Sequence, residues 1–286
     1  MNADDFGLTA GVNRAISELN QRHVLTSATL MARASATDEA IQLVPNIPTL
    51  GVGCHVVLVD GEPVLSPRQD IPWLADPISG RFRRTLGSFV QVLYGEQRSR
   101  LTRETNFPKE IESEAAAQIA LLQSRGLHLT HIDTHKHTHM FPRVLRPVLR
   151  AARAAGIRTV RNPFEPQWSI RATTGAPFLR RTQVRLLRTL EPTFRRIVAE
   201  EGFTTTDGAI GVLATGTLDS STLTSLLRAM PDGTWELVTH PGYNDADLAK
   251  AGTRLLASRQ LEMEALTEAV FAADIELIHF GQLTIG

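Results

Sequence analysis

The sequence is short of several features that would assign it to a class at once. It contains one cysteine, Cys54, in 286 residues, which excludes an intrachain disulfide and fits a reducing compartment. Its 30 basic and 30 acidic residues cancel, so no net charge favours a nucleic-acid partner. No apolar run approaches the roughly 18 residues of a membrane-spanning helix. The polar start MNADDFG lacks the apolar core of a signal peptide, so we expect a cytoplasmic protein, with a peripheral position on the inner membrane as a second expectation.

What the sequence does have is an alternation of helical and strand-like patterns. KEIESEAAAQIALLQSRG and PRVLRPVLRAARAAG have helical periodicity and end at Gly126 and Gly156, as helices commonly do. The strand-like segments are TLGVGCHVVL, LHLTHIDTH, IRTVR, TWELVTHP and IELIHFGQL. Helices and strands that take turns predict an α/β fold with a parallel sheet or barrel. We expect residues 1–286 to form a single domain.

Two stretches interrupt the alternation and are interpreted as insertions. Residues 60–108 are rich in proline, and one helix is expected there around LGSFVQVLYG. In the second stretch, 163–200, seven arginines and one acid lie between Arg171 and Arg196, interleaved with apolar residues. Such a segment suits the surface of an anionic membrane or a cover over a lipid-bearing substrate. A solvated, arginine-rich helix packed on the barrel is an equally good interpretation.

Polar residues that directly follow strand patterns are the candidates for a site, because ligands of parallel α/β folds bind at the carboxyl ends of the strands. Four places qualify: Asp4 with Asp5, His55, His135 and His240. Taken alone, the adjacent aspartates are more typical of a helix N-cap. The functional alternative is that one carboxylate binds a divalent metal while its neighbour takes a proton from water. His55 alone is more typical of a hydrogen-bonded core histidine.

The segment THIDTHKHTHMFP, residues 130–142, holds four histidines and an aspartate at odd positions. Alternate residues of a strand share a face, so His131, Asp133 and His135 are expected to point the same way. Pro142 opens a helix, which requires a turn after about His135 and makes His135 the candidate ligand. Asp133 is expected to orient it, and His131 to be structural. For His137 and His139, sugar contact and plain solvent exposure remain equal alternatives.

The motifs NADDFGLTAGVNRAI, VGCHVVL followed by DGEPV, and THIDTHKHTHMFP followed by VR resemble those of the YdjC-like carbohydrate deacetylase family, which includes chitooligosaccharide deacetylases. Within it, the branch associated with hopanoid biosynthesis is the most similar, with RNPFEP as an additional match. The resemblance implies a distorted (β/α) barrel of the polysaccharide-deacetylase type. It also implies a divalent ion, with zinc expected and magnesium, manganese, cobalt or nickel as alternatives.

Carried over by position, the resemblance implies Asp5, His55 and His135 as metal ligands and Asp4 as general base. His240 would match the general acid, and Arg161 the arginine that contacts the base. Asn162 and Phe164 of the RNPF motif join Asp133, His137 and His139 as candidate substrate-binding or supporting residues.

The implied reaction is hydrolysis of an N-acetylglucosamine-type amide, with a glycosylated hopanoid lipid as the expected substrate. A chitooligosaccharide is the alternative substrate. A non-catalytic sugar- or metal-binding barrel is the alternative of another class, and a metal phosphoesterase also stays open. The resemblance further predicts a nearly absent first strand, because only Met1 precedes the NADDFG motif.

Overall fold

The computed structural model describes residues 1–76, 78–95, 107–272 and 274–283. Its centre is one sheet of parallel strands in the spatial order β4-β3-β2-β1-β6-β5. The strands are β1 (Asn2–Phe6), β2 (Ser27–Leu30), β3 (Gly51–Val56), β4 (Ile132–Thr134), β5 (Gly208–Ile210) and β6 (Trp235–Thr239). Nearly every residue in them is buried, as expected for a parallel sheet covered on both faces.

The sheet curls because a seventh segment connects its two edges. Residues 157–164 exchange backbone hydrogen bonds with Ile132 of β4 on one side, and with Thr204 and Ala209 on the other. The pairings of Ile132 with Val160 and of Thr159 with Thr204 are parallel. The fold is therefore a distorted (β/α) barrel, as the alternation and the family resemblance predict.

Helices surround the sheet and fill most of the connections. They are α1 (Ala10–Gln21), α2 (Thr37–Leu43), α3 (Leu86–Gly95), α4 (Phe107–Ser124), α5 (Pro142–Ala154), α6 (Gln167–Ala172), α7 (Phe178–Leu187), α8 (Glu191–Glu200), α9 (Ser220–Ala229), α10 (Ala246–Lys250) and α11 (Ala257–Thr267). A 3-10 helix, His135–Met140, follows β4. None of the described helices combines the length and apolar character needed to cross a membrane.

The expectation of a nearly absent first strand is wrong. The NADDF residues themselves form β1, which pairs with β2 and with β6. The N-cap interpretation of the two aspartates is also wrong, since the side chain of Thr9 caps α1 by accepting from the Val12 N–H.

The other local predictions have mixed outcomes. The helix expected around LGSFVQVLYG is present as α3, and α5 begins at Pro142. IELIHFGQL is not a strand; it contains only a short 3-10 helix, Phe280–Gln282. Residues 77 and 96–106 of the first expected insertion lie outside the described residues. The assignment of 1–286 to a single domain stays a prediction.

The described part of the first insertion is fixed by side chains of α4. Glu114 accepts backbone hydrogen bonds from Val64 and Leu65, and Glu110 accepts them from Trp73 and Leu74. These acids are four residues apart and share one face of the helix. Each carboxylate thereby satisfies two backbone N–H donors of the loop. The loop thus has a defined path beside the carboxyl ends of the strands.

Candidate metal centre

The two aspartates of the NADDF motif both reach into the barrel because β1 is irregular. In a regular strand, adjacent side chains point to opposite faces. Between Ala3 and Phe6 the pairing with β2 shifts by one residue, and Asp5 has a φ of 63°. A bulge of this kind redirects a side chain, and aspartate tolerates the left-handed region better than most residues. Asp4 and Asp5 consequently lie side by side at the carboxyl ends of the strands, both 3% exposed.

Asp5, His55 and His135 form a close triangle of possible metal ligands. Asp5 Oδ1 lies 3.5 Å from His55 Nε2 and 3.2 Å from His135 Nδ1, and the two nitrogens are 3.2 Å apart. Tetrahedral ligands with bonds of about 2.1 Å to zinc are about 3.4 Å apart, so the spacing fits a small divalent ion. The His135 side chain is 19% exposed, which makes it the part of the triangle that solvent reaches.

The free oxygen of Asp5 supports this fit. Asp5 Oδ1 is buried and accepts no hydrogen bond from the described residues, whereas Oδ2 accepts one from Arg259 Nη2 at 2.5 Å. Burial raises the pKa of Asp5, but the Arg259 charge and the two histidines outweigh it and hold the pKa well below its usual range. A buried, ionised oxygen without a donor is what a cation requires.

His55 is oriented by Asp133 through its other ring nitrogen. His55 Nδ1 lies 2.7 Å from Asp133 Oδ1; the carboxylate accepts a hydrogen bond from the Nδ1–H, which leaves Nε2 facing Asp5. Burial lowers the pKa of His55, but the Asp133 charge outweighs it and raises the pKa to about 10. A metal ion would therefore displace a proton from Nε2. Asp133 was expected to orient His135; its ring contact is with His55 instead.

A second group, Asp4, His55 and Asp133, also has metal-ligand spacing, but an internal cation already occupies it. Arg161 donates to both oxygens of Asp4, at 2.8 and 2.6 Å, forms an ion pair with Asp133, and donates to Glu236 at 2.7 Å. Arg161 is fully buried. Arg161 takes oxygens of both carboxylates in this group, whereas Oδ1 of Asp5 has no donor in the described ranges, so the Asp5 group is the better metal centre.

Burial and the shared Arg161 shift the pKa values of Asp4 and Glu236 in opposite directions. Burial raises the pKa of Asp4, but the Arg161 charge lowers it further, so Asp4 is held ionised. Burial raises the pKa of Glu236 to about 7, because Arg161 only partly offsets it and two other carboxylates stand close by. One cation shared by three acids therefore leaves net negative charge beside the metal triangle.

His240 stands on the other side of Asp4. Its Nε2 lies 3.8 Å from Asp4 Oδ2, and its Nδ1 lies 3.8 Å from Glu262 Oε2. Glu262 also accepts the His240 backbone N–H at 2.6 Å. Burial lowers the pKa of His240, but Glu262 outweighs it and raises the pKa overall. The imidazolium form, which is able to donate a proton, is thereby favoured.

The remaining histidines of residues 130–142 lie in different surroundings because the chain turns after β4. Lys136 and His137 have φ values of 55° and 52°, so the side chains no longer alternate between two faces as they do in a strand. His131 is fully buried and stacks on Phe280 with ring centroids 4.0 Å apart. His139 is fully buried between Thr134 Oγ1 and the Arg161 carbonyl. His139 therefore supports the site through Thr134 and Arg161 and does not line its rim. His137 is half-buried, and its Nδ1 has no hydrogen-bond partner among the described residues.

Two candidates from the RNPF motif do not face the site. Asn162 donates to the carbonyls of Thr206 and Asp207 and accepts from the Phe164 N–H, so it fixes the turn after Arg161. Phe164 packs on Phe194 with ring centroids 5.5 Å apart. A role for either residue in direct substrate contact is not supported by these positions.

Three buried charges beside the centre were missed at the level of sequence. Glu236 had a signal, an acid within the otherwise apolar strand pattern TWELVTHP. No sequence signal distinguishes Arg259 and Glu262, because opposite charges three residues apart are typical of a solvent-exposed helix face. In the structure both lie on the buried face of α11, Arg259 at 0% and Glu262 at 1% exposure. Arg259 donates a hydrogen bond to Asp5, and Glu262 accepts one from the His240 backbone N–H.

Fold and site together define a (β/α)-barrel protein with a candidate divalent-metal centre at the carboxyl ends of its strands. The family model described as YdjC-like protein matches residues 1–277. A carbohydrate deacetylase of Brevibacillus brevis is 33% identical over 99% of this chain and 98% of its own length. A carbohydrate deacetylase of Geobacillus stearothermophilus is 32% identical over 96% and 91%. The chain belongs to the YdjC-like family.

Two further similarities are more limited. A chitooligosaccharide deacetylase of Salmonella paratyphi B is 34% identical over 61% of this chain and 66% of its own length. A crystal structure of an Enterococcus faecalis V583 protein, described in connection with cellobiose-phosphate cleavage, superposes with a TM-score of 0.69 at 24% identity and covers 93% of this chain and 89% of that one. At that identity it supports the fold alone.

Proposed function

We propose that this protein is a metal-dependent carbohydrate deacetylase that hydrolyses the N-acetyl group of an N-acetylglucosamine-type sugar. The observation that carries the proposal is the free, buried Oδ1 of Asp5 facing two imidazole nitrogens, with the ionised Asp4 next to it. The names of the relatives from B. brevis and G. stearothermophilus support the same reaction.

Asp5, His55 and His135 would hold the ion, with zinc as the first choice for two imidazoles and a carboxylate. When bound, a divalent ion polarises the acetyl carbonyl and lowers the pKa of the attacking water. Asp4 accepts a proton from that water as the new carbon–oxygen bond forms. Arg161 keeps Asp4 in place through both carboxylate oxygens.

His240 completes the reaction by giving a proton to the sugar nitrogen as the carbon–nitrogen bond breaks. Its Nε2 lies 3.8 Å from Asp4 Oδ2, so the two proton-transfer groups are close neighbours. The products are acetate and a free amine: the oxygen of the water becomes part of the acetate, and the nitrogen gains the proton from His240.

We further propose a glycosylated hopanoid lipid, N-acetylglucosaminyl bacteriohopanetetrol, as the preferred substrate. The motif resemblance to the hopanoid-associated branch and the arginine-rich, apolar segment 171–196 support this choice, and the same segment would give peripheral contact with a membrane. A soluble chitooligosaccharide is the second candidate substrate.

Mass spectrometry of both substrates, incubated with zinc-loaded protein, tests these proposals. We expect acetyl loss from the glycolipid to be faster than from the chitooligosaccharide, and abolished by Asp4→Asn. Acetyl loss from the chitooligosaccharide alone would contradict the lipid preference while keeping the deacetylase. Sugar binding without acetyl loss from either substrate, unchanged in Asp4→Asn, would replace the enzyme with a non-catalytic sugar-binding barrel.

A further inference from the structure

Helix α7 exposes three of its large apolar side chains, while two of its arginines, Arg180 and Arg181, bind backbone carbonyls of other segments. Phe178 is 82% exposed, and Leu179 and Leu186 are each 68% exposed. At about 100° per residue these three side chains share an arc of about 100° on one side of the helix. We call these three residues, together with the exposed Arg185, the α7 face.

Arg180 and Arg181 fix the orientation of α7. Arg180 donates to the carbonyls of Val212 and Thr215, at 3.0 and 2.9 Å, and Arg181 donates to the carbonyls of Ile170 and Thr173. Because carbonyls of two different segments hold these guanidinium groups, α7 cannot rotate its apolar side inward without losing four hydrogen bonds. The exposure of the α7 face is thus built into the packing.

The surroundings of the α7 face are positive. Residues 166–190 contain five arginines and no acid. Arg171 and Arg185 are exposed and form no ion pair within the part of the chain that the structure describes. By contrast, Arg195 and Arg196 of α8 are paired with Glu191 and Glu200. An apolar patch with unpaired arginines beside it complements a surface that offers both acyl chains and negative head groups.

A second copy of the chain is a poorer occupant. Symmetric dimers place the same patch of both copies face to face, which here would bring the acid-free, arginine-bearing stretches together. Like charges in such a contact oppose association. The arginine distribution therefore favours a partner of the opposite charge.

We infer that the α7 face docks on an anionic lipid bilayer. Phe178, Leu179 and Leu186 enter the interface, and Arg171 and Arg185 contact anionic head groups. Because Val212 and Thr215 follow the carboxyl end of β5, docking turns the metal-centre end of the barrel toward the bilayer. A substrate anchored in the membrane would meet the site in that orientation, although the docking itself does not depend on the proposed reaction.

Co-sedimentation with vesicles tests the inference on the full chain. Vesicles of phosphatidylcholine alone are compared with vesicles that also contain phosphatidylglycerol. We expect binding to the anionic vesicles, weakened at least about tenfold by the combined Phe178→Ser, Leu179→Ser and Leu186→Ser substitutions. Arg171→Gln and Arg185→Gln should each weaken it by about fivefold, on anionic vesicles only.

Val270→Ser is the matched control, because Val270 is 85% exposed but lies outside this region, and its binding should equal that of the wild type. Acetyl release from a soluble chitooligosaccharide should be unchanged in the triple variant, so loss of docking is distinguishable from loss of catalysis. Absence of vesicle binding, or binding that the triple variant retains, would overturn the inference. So would a dimer in light scattering that the triple variant converts to a monomer without any vesicle binding.

Discussion

Asp4 and Asp5 are neighbours in one strand, yet each is held differently. Arg161 donates to both oxygens of Asp4, at 2.6 and 2.8 Å, whereas Arg259 donates to only one oxygen of Asp5, at 2.5 Å. Asp5 Oδ1 is left free to face His55 and His135. The number of oxygens that an arginine binds thus separates a carboxylate that is positioned from one that is available to a cation.

The same difference divides the whole centre into two halves. The Asp4 half comprises Asp4, Asp133, Arg161 and Glu236, in which one guanidinium serves three acids. The Asp5 half comprises Asp5, Arg259 and the two histidines, in which the arginine serves one acid. Removing Arg161 should therefore mainly lower the stability of the fold, whereas removing Arg259 should mainly weaken metal binding.

The largest effect is expected from Arg161→Met. It would leave three buried acids without their cation, and breaking a buried ion pair by removing one partner costs about 3–5 kcal/mol. Urea unfolding measures this loss, with Arg161→Lys as a milder variant if Arg161→Met does not fold. Arg196→Met is the control, since its pair with Glu200 is exposed and should contribute little to stability. Equal losses in Arg161→Met and Arg196→Met would show that Arg161 is not central to the Asp4 half.

Arg259→Gln should mainly weaken metal binding. Without the guanidinium, Asp5 loses the contact that orients its carboxylate, and such supporting residues are worth about 10- to 100-fold in metal affinity. Isothermal titration with zinc measures the change, and turnover should recover at saturating zinc. Arg254→Gln, an exposed arginine five residues earlier, should bind zinc as the wild type does. Unchanged zinc affinity in Arg259→Gln would mean that Arg259 does not prepare the metal ligand.

Glu236→Gln gives a smaller, pH-dependent effect. The pKa of Glu236 is raised to about 7 in the folded protein, against about 4.3 in an unfolded chain. Its contribution to stability is therefore fully present below pH 4.3 and is lost as the pH rises to about 7, at up to about 1.4 kcal/mol per pH unit. Relative to the wild type, Glu236→Gln should gain stability across that range in denaturant titrations. Glu262→Gln is the comparison on the His240 side. A difference in stability between wild type and Glu236→Gln that does not change with pH would contradict the raised pKa of Glu236.

The sequence allowed much of this arrangement to be predicted, and its failures have physical causes. Strand periodicity and strand-end position were enough to single out Asp4, Asp5, His55, His135 and His240, because parallel strands bring their carboxyl ends together. The bulge at Asp5 was not predictable, since a one-residue shift in pairing leaves no mark in the apolar pattern. Without the shift, Asp4 and Asp5 would have pointed to opposite faces.

Contacts between residues far apart in the sequence could not be predicted either. The partner of Asp133 is His55 and not the nearby His135, because β3 and β4 pair directly and place residues 55 and 133 opposite each other. Arg259 reaches Asp5 from 254 positions away along the chain. Neither contact follows from spacing, since each depends on the order of strands and on which face of α11 is buried.

The most direct test of the two-half account compares Asp4→Asn with Asp5→Asn in one experiment, measuring bound zinc and acetyl release together. We expect Asp4→Asn to keep most of its zinc while turnover falls by about 100- to 10,000-fold, and Asp5→Asn to lose both zinc and turnover. Zinc loss in Asp4→Asn equal to that in Asp5→Asn, or full turnover in either variant, would contradict the account.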